Sequence, residues 1–150
     1  MPSDLPSSVL FCCDHNSIRS PMAEGLLKQH LGTQIYVQSA GVHGGSEIDG
    51  FAIAVCREIG IELTRHTTRS FGDLEDWGDD LGSYDLVVAL SPASLRRALE
   101  YTRYLSLEVE YWPTLDPEGL GESREAKLES YRQVRDQIRD NILRRFRVSE

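Results

Sequence analysis

A short apolar run, Val9-Leu10-Phe11-Cys12-Cys13, passes directly into the loop Asp14-His15-Asn16-Ser17-Ile18-Arg19 and then into Ser20-Pro21. This succession leaves the chain few ways to fold. A run that is apolar at every position suits a strand covered on both faces. Ser is a favoured N-cap and Pro a favoured first helical residue, so a helix is predicted to open at Ser20-Pro21. Met22, Leu26, Leu27 and Leu31 follow at helical spacing, and Gly32 is the expected stop. A buried strand running at once into a helix argues for a parallel sheet with helices over both faces.

The rest of the chain repeats this alternation. Ile35 to Ser39 reads as a second strand ending at Ala40-Gly41, and residues 50–59 carry a helical pattern closed by Gly60. Tyr84 to Leu90 is the most apolar segment and reads as a central strand. Ser91-Pro92 opens a further helix of about nine residues by the same capping logic. Leu107 to Trp112 reads as a strand. A long amphipathic helix is expected from about Gly121 to Arg147, with Leu128, Tyr131, Val134, Ile138 and Ile142 on one stripe. Arg144, Arg145 and Arg147 suit its negative end. The segment 71–85 carries Asp73, Glu75, Asp76, Asp79, Asp80 and Asp85 with no basic residue and reads as a solvated loop, with a basic docking partner as the other reading. Residues 1–7 read as a flexible N-terminal tail and 8–150 as one α/β domain.

Composition narrows the function classes. At 150 residues the chain is long enough for one self-sufficient core. Its net charge of −8 opposes general binding to nucleic acid or anionic membrane, though a site can be locally positive. No apolar run is long enough to span a bilayer, and Met1 to Pro6 has no secretory-leader pattern. The three cysteines, Cys12, Cys13 and Cys56, are a poor disulfide framework and suit a reducing cytoplasm. The four histidines are scattered, so neither a metal nor a cofactor is expected.

The loop after strand 1 is the place for chemistry, because ligands of parallel sheets bind beyond the carboxyl ends of strands. Free amides at a helix start and in a curled loop cradle an anion, and the same field lowers the pKa of a thiol. An arginine six residues after Cys13 can grip a tetrahedral oxyanion with two parallel hydrogen bonds. A thiolate facing a clamped phosphate is an in-line nucleophile. Cys-x5-Arg alone is a weak signal, and a cysteine on a strand is usually a small buried hydrophobe. That is the reading given to Cys12 and Cys56.

VLFCCDHNSIRSPMAEGLL, Val9 to Leu27, closely resembles the start of the low-molecular-weight protein tyrosine phosphatases and the related thioredoxin-coupled arsenate reductases. Ser39-Ala40-Gly41, His66-Thr67-Thr68-Arg69, Tyr84 to Leu90 and Leu115-Asp116-Pro117 resemble later motifs of the family, so the likeness covers almost the whole chain. It implies a four-stranded parallel sheet of order 2-1-3-4 with a phosphate-binding loop after strand 1. It implies that Cys13 is the nucleophile, Arg19 the phosphate clamp and Asp116 the general acid and then base. Asp14, His15, Asn16, Ser17, Ile18 and Arg19 would line the phosphate. Ser20 would hydrogen-bond the thiolate, while Asn16 (at positive φ), Ser39 and His66 would form a buried network holding the loop.

The implied activity is hydrolysis of phosphomonoesters, phosphotyrosine proteins or small aryl phosphates, through a phosphocysteine. A phosphate or sulfate ion is the expected simple occupant of the loop. The chain departs from the family in three ways. Ile18 stands where many family phosphatases have a second cysteine, His15 replaces a usual glycine, and the aromatic residues that often follow Asp-Pro are absent after Asp116-Pro117, while the Gly-rich loop at 41–45 supplies no Trp. Two alternatives are an arsenate reductase using an external thiol, since residues 71–85 contain no cysteine, and a non-catalytic phosphate-binding interaction domain.

Overall fold

The structure is a computed structural model that describes residues 5–147. Four strands form one parallel sheet: β1 (Ser8–Cys13), β2 (Tyr36–Gly41), β3 (Leu86–Ala89) and β4 (Val109–Tyr111), in the order β2-β1-β3-β4. Five helices connect and cover them: α1 (Arg19–Leu31), α2 (Gly50–Arg57), α3 (Phe71–Asp76), α4 (Pro92–Tyr101) and α5 (Arg124–Arg145). Parallel neighbours require crossovers, and the helices supply them.

β1 is the central strand, pairing with β2 on one side and β3 on the other. Alternation along it sends Val9, Phe11 and Cys13 into the core under α1, α2 and α5, and Leu10 and Cys12 into the core under α3 and α4. This is why its sequence is apolar throughout. Each fully buried aliphatic or phenyl side chain stabilises the fold by roughly 1.5–3 kcal/mol. The predicted stripe on the last helix, Leu128, Tyr131, Val134, Ile138 and Ile142, is buried. Arg135 of α5 donates to Val55 O and Glu58 Oε1, tying α5 to the end of α2.

Ser91 caps α4 through a reciprocal pair with Ser94, with Pro92 in the first turn, as the sequence predicts. Gly32 ends α1 at φ +61°, the conformation that favours glycine. Other expectations need correcting. Helix α1 starts at Arg19, so Ser20 lies inside it and makes no cap. Strands β3 and β4 are shorter than their apolar runs. Segment 71–85 is not a plain loop: Ser70 and Asp73 form a capping box that starts α3, and Phe71 and Leu74 are buried. Residues 1–4 of the expected tail lie outside the described residues. Leu5 packs on the core, and the Ser7 amide donates to Asp85 Oδ2 at 2.7 Å, so residues 5–7 lie against the body.

Candidate active site

Cys13 is the last residue of β1, and Arg19 opens α1 five loop residues later. The loop is fixed from outside. Its carbonyls at Cys13, Asp14 and Ser17 accept from the amides of Val42, His43 and Asp49. Among the described residues, the amides of residues 14–18 donate no hydrogen bond, so they remain available to an anion. Asn16 turns the loop at φ +59°, as expected of an asparagine there. Gly41 lies beneath it. A β-carbon at Gly41 would come within 2.7 Å of the Asn16 amide nitrogen and of the His15 carbonyl carbon. Only glycine lets the end of β2 approach the loop so closely.

The Cys13 thiol is buried, with Sγ 2.9 Å from Ser20 Oγ and 3.4 Å from the Ser20 amide. Asn16 Nδ2 donates to Ser20 Oγ at 2.9 Å, occupying a lone pair of that hydroxyl. The Ser20 proton is then free to point at sulfur, the nearer of its two acceptors; Ala40 O lies 3.4 Å away. A hydroxyl and an amide are thus both aimed at the sulfur. This explains why Ser20 is not a cap: its side chain faces the sulfur.

Asn16 is fully used. Its Nδ2 also donates to Ser39 Oγ at 2.9 Å, and its Oδ1 accepts from His66 Nε2 and the Arg69 amide, both at 2.9 Å. Burial holds the His66 pKa below the ordinary histidine value, opposing the pull of Glu24 and outweighing it. His66 is therefore neutral near pH 7, with its proton on Nε2 and Nδ1 turned toward Glu24. Glu24 was not foreseen from sequence. It accepts from Ser39 Oγ at 2.5 Å and pairs with Lys28 Nζ at 2.5 Å. Its signal was its place one helical turn after Ser20, on the same face.

Arg19 joins two distant parts of the chain. Its Nη1 donates to Thr114 O at 2.9 Å, and its Nη2 lies 3.2 Å from Asp14 Oδ2 and 3.7 Å from Asp116 Oδ2. Asp116 is partly exposed, and its Oδ1 accepts from the Glu118 amide at 3.0 Å. Cys13, Asp14, His15, Ser17, Ile18, Arg19, Asp116 and Glu118 line one small cavity. Ser20, Ser39, Asn16 and His66 lie behind it. His15 is exposed at the rim, its ring centroid 5.3 Å from that of His43. Ile18 is buried in the core.

The other two cysteines are chemically quiet. Cys12 is fully buried on the opposite sheet face from Cys13, and burial pushes its thiol far above the usual range. Cys56 is also fully buried, its thiol raised to about 12 chiefly by desolvation. This is the small-hydrophobe role expected for both. Among the described residues there is no cluster of three metal-ligating side chains. None of the described helices is long and apolar enough to cross a membrane.

Residues 8–146 match the family model described as low molecular weight phosphotyrosine protein phosphatase. The chain is 34% identical over 140 residues to an arsenate reductase of Bacillus subtilis, covering 92% of this chain and 93% of the relative. A low molecular weight protein tyrosine phosphatase from T. tengcongensis superposes with a TM-score of 0.73 at 27% identity, over 93% of this chain and 97% of that one. An arsenate reductase in the phosphate binding state superposes with a TM-score of 0.70 at 29% identity, over 91% and 94% of the two chains.

Proposed function

Since this chain belongs to the low molecular weight phosphotyrosine protein phosphatase family, we propose that it is a cysteine-dependent phosphomonoesterase acting on phosphotyrosine proteins or small aryl phosphates. The observation that carries this reading is the convergence of the Cys13 sulfur, the Arg19 guanidinium and the Asp116 carboxylate on one cavity. A phosphate or sulfate ion is the simplest ligand for its free amides. The Cys13 thiolate attacks phosphorus in line, forming the S–P bond as the ester P–O bond breaks. Arg19 and the loop amides hold the equatorial oxygens as charge spreads over them. Asp116 gives its proton to the departing oxygen. It then takes one from the water that hydrolyses the phosphocysteine, which restores the thiolate and releases phosphate. The cycle needs Cys13 reduced, which suits a cytoplasmic setting.

The names of the relatives favour a second reading, arsenate reduction. The thiols decide what form it takes. Cys12 and Cys56 are fully buried, and residues 71–85 hold no cysteine, so an internal thiol relay has no members and the electrons must come from an external thiol. A pure binding module is the weaker reading, because it has no use for a carboxylate within 3.7 Å of the clamp arginine. The test is hydrolysis of a generic aryl phosphate by purified protein, run beside arsenate reduction with glutathione, with Cys13→Ser as control in both. Aryl phosphate turnover that vanishes in Cys13→Ser is expected. Arsenate turnover without phosphatase activity overturns the reading.

A further inference from the structure

Among the described residues, the Oδ1 atom of Asp14 is the buried side-chain polar atom that has no hydrogen-bond partner. The other oxygen of the same carboxylate, Oδ2, sits 3.2 Å from Arg19 Nη2. Arg19 Nη1 is committed to Thr114 O at 2.9 Å. The Nε–Nη2 edge is therefore the one left to grip a tetrahedral anion with two parallel hydrogen bonds, and Asp14 already holds its Nη2 end. The carboxylate is gripped at one oxygen only, and its side chain is 33% exposed while that of Arg19 is 5% exposed. Asp14 thus borders solvent into which it has room to turn, whereas Arg19 is enclosed and bonded to Thr114 O.

We propose that Asp14 is an internal anion that an incoming phosphoryl group displaces from Arg19, so that the site selects phosphomonoesters carrying positive charge beside the phosphoryl group. The substrate part of this rests on the phosphatase reading above. Displacement breaks the Asp14–Arg19 pair and leaves a carboxylate next to a phosphate dianion, two like charges at close range. A bare anion gets nothing in return. A substrate with a lysine or arginine near its phosphoryl group supplies a partner to the displaced carboxylate and recovers the loss. The mouth extends the same selection, because Asp116 and Glu118 line it with Asp14, and among the described residues lining the cavity the basic ones are Arg19 and His15.

Inorganic phosphate is titrated calorimetrically into the wild-type protein, Asp14→Asn and Asp14→Ala, with melting curves to establish that each variant is folded. Both variants are expected to bind phosphate about five- to tenfold more tightly than wild type, the size of a partly exposed charge contact. Unchanged or weaker binding in the folded variants overturns the proposal. This arm needs no turnover, so it stands even where aryl phosphates prove not to be hydrolysed. The second arm compares kcat/KM for matched phosphotyrosine peptides with lysine or glutamate beside the phosphorylated residue. The wild type is expected to favour the lysine peptide by roughly tenfold, and both variants are expected to lose at least about two thirds of that preference. A preference that survives undiminished in both overturns the selective role of Asp14.

Discussion

Lysine and arginine carry the same charge, but only arginine offers a planar, two-pronged donor edge. The Arg19 guanidinium bonds Thr114 O with one nitrogen and presents a planar edge to the cavity with the others. Arg19→Lys is therefore expected to be nearly as damaging as Arg19→Ala, with kcat for an aryl phosphate reduced by at least about 100-fold. Steady-state kinetics on both variants checks this, and a lysine enzyme with near-normal kcat would show that charge alone suffices. Cys13→Ser separates binding from chemistry in the same way. The amides and Arg19 remain, so phosphate should still bind, while hydrolysis should disappear because a serine hydroxyl is not ionised at neutral pH. The surroundings of Cys13 also govern its oxidation. Ile18 supplies no thiol, Cys12 faces the other side of the sheet, and Cys56 is fully buried. Peroxide should carry Cys13 past the sulfenic acid, so that reductant restores only part of the activity. A Cys12–Cys13 or Cys13–Cys56 disulfide as the main product in mass spectrometry would refute this.

The loop after β1 keeps its shape because β2, the start of α1 and the segment carrying His66 meet beneath it at Asn16. Gly41→Ala drives a β-carbon into the backbone of His15 and Asn16, where no flexible side chain can give way. It should cost about 1–3 kcal/mol, a fall in Tm of roughly 3–10 °C for a chain of this size, and a disproportionate loss of kcat. His66 makes the same network sensitive to acid. Its pKa is lower folded than unfolded, so the unfolded chain binds more protons between the folded value and the ordinary value of about 6.5. Stability from this group is present above about pH 6.5 and is lost as pH falls through the lowered value. His66→Gln keeps a donor for Asn16 without a titrating ring, so its Tm should fall less than that of wild type on acidification; parallel curves would remove His66 as the cause. The sequence disclosed the parts of this assembly that depend on local pattern. The apolar run of β1, the Ser91-Pro92 start of α4 and the stripe of α5 are set by neighbours in the chain. The resemblance supplied strand order and the positive φ of Asn16. What escaped was decided by distant partners. Ser20 looks like a cap by propensity, but its hydroxyl is claimed by Cys13 and Asn16. The acidity of 71–85 hid a capping box and two buried apolar residues. Glu24 looks like a surface residue of an amphipathic helix until Ser39 is brought across from β2.

In a chain whose net charge is −8, the proposed anion site draws on two loops far apart in sequence. Strand order brings them together by placing the carboxyl ends of β1, β3 and β4 side by side. Trp112 N bonds Ala89 O and Thr114 N bonds Leu90 O, which carries the chain after β4 along the end of β3. Arg19 then reaches Thr114 O, and Asp116 comes to lie over the loop of Cys13. If Asp116 is the general acid, this long-range arrangement has a kinetic signature. Protonation matters most when the departing oxygen is strongly basic, and little when it leaves almost unaided. Asp116→Asn retains shape and removes the proton, so phosphoryl transfer from phenyl phosphate should slow by roughly 10²–10⁴-fold. An activated nitroaryl or fluorinated aryl phosphate should lose far less in this first step. Water attack should also slow, because the same carboxylate serves as base there, so phosphocysteine should accumulate and become trappable. Single-turnover rates of transfer to Cys13, measured over a series of leaving groups, separate these effects. The dependence on leaving-group basicity should be steep in Asp116→Asn and shallow in wild type. Equal slopes would reduce Asp116 to a turn residue held by the Glu118 amide, and would make Glu118, which lines the same cavity, the next acid to test.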